Sequence, residues 1–239
     1  MNINSDRKFP LAALIFFLVL ALLGIAGFVL TAAVKFIAAA VLCVLVGIIG
    51  FAADRNSHSK RGIIGRIVAL VIILFFMFSM PSLIILPSKV WQYPFQKFYT
   101  GLYRNVREPD WFPDFRNDVQ SDYIFDYMPS IMQGTGYFSV CFVTSPERAS
   151  EYERKFSSQA EYIVSLDEFT AASRYSVGGD SNDPWEVLDI YWNRNFWKKG
   201  EEPSAQIYVL DAVLNYNHPY SSAVIIDTES GRIQLSQLG

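Results

Sequence analysis

Four aspartates recur at every fourth position in the middle of the chain: Asp114, Asp118, Asp122 and Asp126. This spacing places carboxylates on one side of a helix or of a strand, where like charges repel mildly. A bound cation would relieve that repulsion, because carboxylate oxygens are the ligands that calcium prefers. A solvated acidic surface is the simpler interpretation, and we expect no metal site.

A second acidic segment, residues 180–183, reads Asp-Ser-Asn-Asp and resembles the opening of a calcium loop. Pro184 occupies the next ligand position, and neither the loop glycine nor its terminal glutamate follows. A polar turn is therefore the expected structure.

Nucleophiles and general bases are scarce in the C-terminal part of the chain, which holds Cys141 and His218. His218 lies in an Asn-His-Pro-Tyr segment that favours a turn, with general-base chemistry as the alternative. Cys141 is expected to be half-buried on a strand, since Cys43 lies in an apolar segment and cannot pair with it. We predict no catalytic, cofactor-binding or metal-binding residue, and no cofactor.

An aromatic cluster is the best candidate for a recognition surface, and it consists of Tyr191, Trp192, Phe196 and Trp197. Exposed rings of this kind stack on sugars or anchor protein interfaces. Core packing is the competing explanation of the same residues.

Three apolar segments precede this region, with spans expected at about 10–30, 36–53 and 62–86. The first 45 apolar residues would form a helix of roughly 67 Å, more than twice the ~30 Å hydrocarbon core, so they must fold back. The turn is expected at residues 31–35. Residues 1–87 therefore form a predicted three-helix transmembrane region.

Basic residues indicate the orientation of these spans in a membrane. Five Lys or Arg flank the first span or lie between the second and third, whereas Lys35 alone lies between the first and second. We expect a multi-pass plasma membrane protein with a cytoplasmic N-terminus and an extracytoplasmic C-terminal domain. Net charge divides as +5 up to residue 87 and −8 beyond it.

Small residues in the first two spans predict close helix packing, among the three helices or with a partner. They are Gly24, Gly27, Ala39, Cys43 and Gly47. A conduit through the membrane is not expected, because these spans carry few polar side chains.

Residues 88–108 are expected to form a juxtamembrane amphipathic connector. Its aromatic residues predict a membrane interface at Trp91, Tyr93, Phe95 and Tyr99. Packing of the same aromatic face under the soluble domain remains the alternative.

Residues 109–239 are long enough for one compact domain. Aromatic and β-branched runs predict paired strands at 123–127 and 137–143, followed by a helix capped by Thr144 or Ser145. Further strands are expected at 162–166, 206–216, 223–227 and 232–236, the last two as a hairpin. The predicted fold is three transmembrane helices followed by an α+β domain, in which one or two helices cover one face of an antiparallel sheet.

Residues 185–197 fit both a helix and a strand. Trp185, Leu188, Trp192 and Phe196 follow helical spacing, and the same segment alternates acceptably as a strand. We favour the helix.

Three short segments carry a resemblance to a known group of proteins: Trp111 to Pro113, Met132 to Phe138 and Asn217 to Pro219. With these segments the chain resembles uncharacterised Firmicutes-type membrane proteins whose outer domains have no assigned activity. The resemblance implies a bacterial plasma membrane and assigns no functional residue.

The function we expect is a membrane-anchored extracytoplasmic binding or sensing domain, with an unknown ligand, that acts through a partner. A surface hydrolase of envelope material and an accessory subunit of a transport or secretion complex are the alternatives. The expected partners are the lipid bilayer and a membrane protein or cell-wall component, and no nucleic acid.

Overall fold

The structure is a computed structural model that describes residues 8–56, 60–79, 82, 84–103, 108–130, 135–172, 189–197, 204–213 and 219–239. The chain divides into two compact units, Met1–Leu86 and Pro87–Gly239.

The N-terminal unit contains three helices: α1 (Lys8–Thr31), α2 (Val34–Asn56) and α3 (Lys60–Ser79). Two of them are apolar and long enough to cross a membrane, over Leu11–Thr31 and Val34–Ala53. The apolar part of α3, Ile63–Met77, is shorter. The third predicted span, 62–86, is therefore not confirmed, and the helix in that region ends at Ser79.

The turn between α1 and α2 lies inside the segment where the sequence predicts it. Ala32 has a φ of 57°, and the Thr31 hydroxyl donates to the Gly27 carbonyl at 2.7 Å. The Ala33 N–H in turn donates to Thr31 Oγ1 at 3.2 Å. The left-handed conformation of Ala32 ends α1, and the Thr31 side chain provides hydrogen bonds to backbone groups at that end.

The chain after α3 returns to this turn. The Val34 N–H donates to the Ile84 carbonyl, and the Leu86 N–H donates to the Ala32 carbonyl, both at 3.0 Å. Lys35 Nζ donates to the Met77 carbonyl at 2.7 Å, in the last turn of α3. The C-terminal end of α3 therefore lies beside the α1–α2 turn.

Small residues bring α1 and α2 into close contact. A Cβ on Gly24 would lie 2.9 Å from the Phe36 carbonyl oxygen, and one on Gly47 would lie 3.0 Å from Phe17 Cβ. Gly27 lies against the Phe36 ring. Ala39 and Cys43 are buried in the same helix interface.

The C-terminal unit begins with a 3₁₀ turn (Val90–Gln92) and helix α4 (Tyr93–Gly101). The remaining elements are β1 (Ser121–Met128), β2 (Tyr137–Val143), α5 (Pro146–Ser157), β3 (Tyr162–Ser165), α6 (Leu166–Ala172), β4 (Gln206–Val213), β5 (Tyr220–Asp227) and β6 (Arg232–Leu238). The six strands form one antiparallel sheet in the order β1-β2-β6-β5-β4-β3.

Both faces of the sheet are buried, which corrects the prediction of a single covered face. On one face, α4 and α5 cover a row of paired residues: Phe125, Val140, Leu235, Val224 and Tyr208. On the other face, α6 and residues 189–197 cover Cys141, Ile225, Ile207 and Val164.

Several predicted local elements are present. Strands β1 and β2 pair, β5 and β6 form the terminal hairpin, and Ser145 Oγ caps α5 by accepting from the Arg148 N–H. The described part of the ambiguous segment is neither helix nor strand: residues 189–193 are irregular and 194–196 form a turn. Residues 185–188 lie outside the described residues.

Candidate functional site

A cleft of about 400 Å³ lies between α4 and the segment that leads to β1. Its lining combines two ion pairs with aromatic and proline side chains: Tyr93, Pro94, Lys97, Glu108, Phe112, Pro113, Asp114 and Arg116. We take it as the candidate ligand-binding site of the C-terminal unit, because convergent polar groups in a concave surface are typical of such sites.

Glu108 is the central charged group of the cleft. Its Oε1 accepts a hydrogen bond from Tyr93 Oη at 2.5 Å, and its Oε2 forms an ion pair with Lys97 Nζ. Only 11% of the Glu108 side chain is exposed, so Tyr93 and Lys97 supply the partners that burial requires.

Tyr93 fixes this arrangement to the domain core. Its ring packs edge-on against Phe115 and Phe125, with centroids 4.7 and 6.2 Å away. Burial first, and then the hydrogen bond to Glu108, raise the pKa of Tyr93 far above its ordinary value. Tyr93 is therefore a neutral hydrogen-bond donor at physiological pH.

A second ion pair lies on the exposed side of the cleft. Arg116 donates from Nε to Asp114 Oδ1 at 2.9 Å and from Nη2 to Oδ2 at 3.1 Å. This bidentate hydrogen bond lowers the pKa of the Asp114 carboxyl. The cleft therefore offers both signs of charge to a ligand.

Helix α4 separates the predicted interface residues into two groups. Trp91 and Phe95 are exposed at 50% and 41%, whereas Tyr93 and Tyr99 are buried at 4% and 3%. Both tyrosines are thus withdrawn from the surface, and Tyr93 packs against Phe115 and Phe125 of the domain. Phe98 is more exposed than any of the four, at 71%.

The aromatic cluster at 191–197 is also divided. Phe196 and Trp197 are 4% and 1% exposed and belong to the core, and the half-buried Trp192 packs against it. Arg194 lies over the Trp192 ring at 5.5 Å. Of the four residues, Tyr191 and Trp192 retain accessible surface.

Asp126 organises a polar cluster under this segment. Its Oδ2 accepts from Tyr191 Oη and from Asn193 Nδ2, the latter at 3.0 Å, and its Oδ1 accepts from Tyr137 Oη at 3.3 Å. The rings of Tyr137 and Tyr191 stack with centroids 3.7 Å apart. These contacts join residues 191–193 to β1 and β2.

The four regularly spaced aspartates do not converge. Asp118 accepts hydrogen bonds from Arg148 and Tyr152, Asp114 binds Arg116, Asp122 is exposed, and Asp126 lies in the polar cluster. Among the described residues, no group of three or more His, Cys, Asp or Glu side chains could hold a metal ion.

The other predicted chemical groups add no site. Cys141 is fully buried, and burial raises the pKa of its thiol well above the ordinary value. His218 and residues 180–183 lie outside the described part of the chain.

The cleft itself was missed by the sequence analysis. Glu108 carried no signal there. The useful signal would have been a lysine within an aromatic helix and a carboxylate after that helix, but their contact is set by the fold.

Comparisons with known protein families, with characterised proteins and with solved structures find no match to this chain. The resemblance to Firmicutes-type membrane proteins therefore stays a prediction.

Proposed function

We propose that this chain is a membrane-anchored protein whose C-terminal domain lies outside the cytoplasm and binds a ligand without catalysing a reaction. The observation that carries the proposal is the division of the chain. One unit contains two helices apolar and long enough to cross a membrane, and the other is a six-stranded domain with a charged cleft.

The path of the N-terminal unit supports three membrane crossings. The 20 residues of α3 would extend about 30 Å, close to the thickness of a hydrocarbon core. Its C-terminal end lies beside the α1–α2 turn, as expected if α3 runs in the direction of α1. The excess of Lys and Arg near the N-terminus and between α2 and α3 then supports a position of residue 87 outside the cytoplasm.

The chemistry of the cleft supports binding rather than catalysis. A general acid or base must be able to exchange a proton with its substrate. Here Glu108 is engaged by Tyr93 and Lys97, and Asp114 is engaged by Arg116. A ligand that carries a positive and a negative group could form ion pairs with these side chains in place of their present partners, at little electrostatic cost.

A second candidate function, an accessory subunit in a membrane complex, is favoured by one feature of the N-terminal unit. An apolar pocket of about 180 Å³ lies among the three helices, and Gly24, Phe36, Ala39, Cys43 and Met77 contribute to its lining. A side chain of a partner helix would fill such a pocket. Recovery of the chain in a stoichiometric complex with a larger membrane protein would support this function.

Cysteine labelling in intact bacterial cells tests the proposed placement. A membrane-impermeant maleimide should label a Glu229→Cys variant in intact cells and a Ser57→Cys variant only after permeabilisation. Cys43 and Cys141 are buried, so the unmodified chain supplies the background. Labelling of Ser57→Cys but not of Glu229→Cys in intact cells would overturn the orientation.

A further inference from the structure

An apolar stripe runs along the exposed side of α4 and the turn before it. It consists of Trp91, Phe95, Phe98 and Leu102, which are 50%, 41%, 71% and 57% exposed. Their spacing of four, three and four residues places them on one face of a helix. Large apolar side chains in an unbroken exposed row usually mark an interaction surface.

The opposite side of α4 fixes the direction of this stripe. Gln96 and Thr100 are fully buried, and Gln96 Oε1 accepts a hydrogen bond from Tyr123 Oη on β1 at 2.9 Å. Tyr93 is buried on the domain side as well, against Phe115 and Phe125. Turning the stripe inward would break these contacts, so it stays on the surface of the domain.

The length of chain before the stripe limits its distance from the membrane. The N-terminal unit ends at Leu86, and Trp91 follows five residues later. Five extended residues cover at most about 18 Å. If α1 and α2 cross a membrane, the stripe begins within that distance of the point where the chain leaves the apolar unit.

Area and one exposed lysine favour a lipid surface over a second copy of the chain. Lys89 is exposed before the stripe, whereas Lys97 on the same helix is paired with Glu108 in the cleft. At about 200 Å² for each large side chain, the exposed stripe provides roughly 450 Å², little more than half of the ~800 Å² that each partner contributes to a stable protein interface.

We propose that α4 lies along the outer surface of the membrane that holds α1 and α2, with Trp91, Phe95, Phe98 and Leu102 inserted at the boundary between headgroups and acyl chains. The chemistry is that of an interfacial amphipathic helix, in which aromatic rings and leucine enter the lipid and Lys89 meets the phosphates. This inference rests on the proposed function, because it requires the membrane anchor. It adds a second attachment that holds the domain at the bilayer.

Spin labels on the full chain test this proposal in vesicles of phosphatidylethanolamine and phosphatidylglycerol. The labelled variants are Phe98→Cys on the stripe, Ser150→Cys on the exposed side of α5, and Leu22→Cys on the exposed side of α1. Phe98 is highly exposed, so its replacement should leave the domain folded, and an unchanged melting temperature checks this. Collision rates with oxygen, which enters lipid, and with a water-soluble nickel chelate report the environment of each label.

We expect the label at position 98 to show a severalfold higher ratio of oxygen to nickel collisions than the label at position 150. Equal ratios would overturn the proposal, because position 98 would then face water. A label at 98 that neither reagent reaches would also overturn it, since a protein partner or a second copy would cover the stripe. The label at position 22 distinguishes failure of this inference from failure of the membrane anchor. If the label at position 22 also faces water, the membrane anchor itself is contradicted.

Discussion

Gln234 accepts a hydrogen bond from the Trp197 indole, with Nε1 and Oε1 2.7 Å apart. The same oxygen accepts from the Asn193 N–H at 3.0 Å, and Gln234 Nε2 donates to the Tyr191 carbonyl at 2.9 Å. Gln234 is fully buried between Cys141 and Ile225 in an otherwise apolar row of the sheet. One amide therefore attaches the irregular segment 189–197 to β6.

Replacing this amide should destabilise the C-terminal unit. Gln234→Met keeps the side-chain volume but leaves the buried Trp197 indole and Asn193 N–H without an acceptor, which should cost about 2–4 kcal/mol. Thermal unfolding followed by tryptophan fluorescence measures the effect, because all five Trp lie after residue 87. Gln237→Met, at a half-buried position of the same strand, is the control. Equal melting temperatures of the two variants would contradict this role of Gln234.

Replacing Gly231 in the β5–β6 turn should destabilise the C-terminal unit. Its φ is 74°, and a Cβ there would lie 2.1 Å from the Thr144 carbonyl oxygen. Gly231→Ala should therefore lower the free energy of unfolding by at least about 2 kcal/mol, from left-handed strain and displacement of backbone. Gly101→Ala is the matched control, because a Cβ at Gly101 meets no atom of the described residues within 4 Å. A Gly231→Ala variant as stable as the control would show that the turn adjusts freely.

The approach of α1 to α2 at Gly24 should be sensitive to side-chain size. Gly24→Leu places a side chain against the Phe36 carbonyl and Ala40 and should separate the helices, at a cost of about 1–3 kcal/mol. Cys43 is 3% exposed in the same interface, so its labelling rate in detergent should rise severalfold. Gly65→Leu should leave that rate unchanged, because a Cβ at Gly65 has no neighbour within 4 Å among the described residues. No difference between the two variants would contradict close packing at Gly24.

Asp227 should contribute stability that is lost in acid. Burial opposes its ionisation, but hydrogen bonds from Ser230, Ser204 and the backbone outweigh burial and lower the pKa of this carboxyl. A lowered pKa in the folded state stabilises the fold at pH values above the ordinary pKa of about 4, and this contribution disappears as the pH falls through the folded value. The melting temperature measured between neutral pH and pH 2 should therefore fall less steeply for Asp227→Asn than for the unmodified chain.

Asp114→Asn is the control for that pH series. The pKa of Asp114 is also lowered, by its hydrogen bond to Arg116, but both side chains are exposed and contribute little to stability. The control should therefore follow the unmodified chain at all pH values. If Asp227→Asn follows it as well, the hydrogen bonds to Asp227 do not stabilise the folded state.

Local sequence signals were sufficient for much of the fold. The run from Tyr137 to Val143, the cap at Ser145 and the turn before Arg232 each depend on neighbours in the chain, and the structure contains all three elements. The turn after α1 was predictable from length alone, since one helix of that size exceeds a bilayer.

Distant contacts decided the elements that the sequence did not predict. Periodicity favoured a helix over 185–197, but the described part is irregular, and residues distant in sequence such as Gln234, Asp126 and Ser221 supply several of its hydrogen bonds. A distant contact also decides the orientation of α4, because aromatic residues occur on both sides of this helix and do not predict which side is buried. Tyr123 on β1 determines which side is buried, by its bond to Gln96.

The candidate cleft depends on such contacts as well. Its ion pair joins Lys97 on α4 to Glu108 after the helix, and no motif marks that pairing. A test of its role is to compare binding of soluble peptidoglycan fragments to the full chain and to a Lys97→Met variant. Weaker binding by the variant is expected if these fragments are the ligand.

The central claim, that α1 and α2 anchor this chain in a membrane, is tested most directly by alkaline carbonate extraction of membranes from cells that express it. We predict that the full chain stays in the membrane pellet after carbonate treatment and is released only by detergent. Release of the chain into the carbonate supernatant would contradict the membrane anchor and every proposal that depends on it.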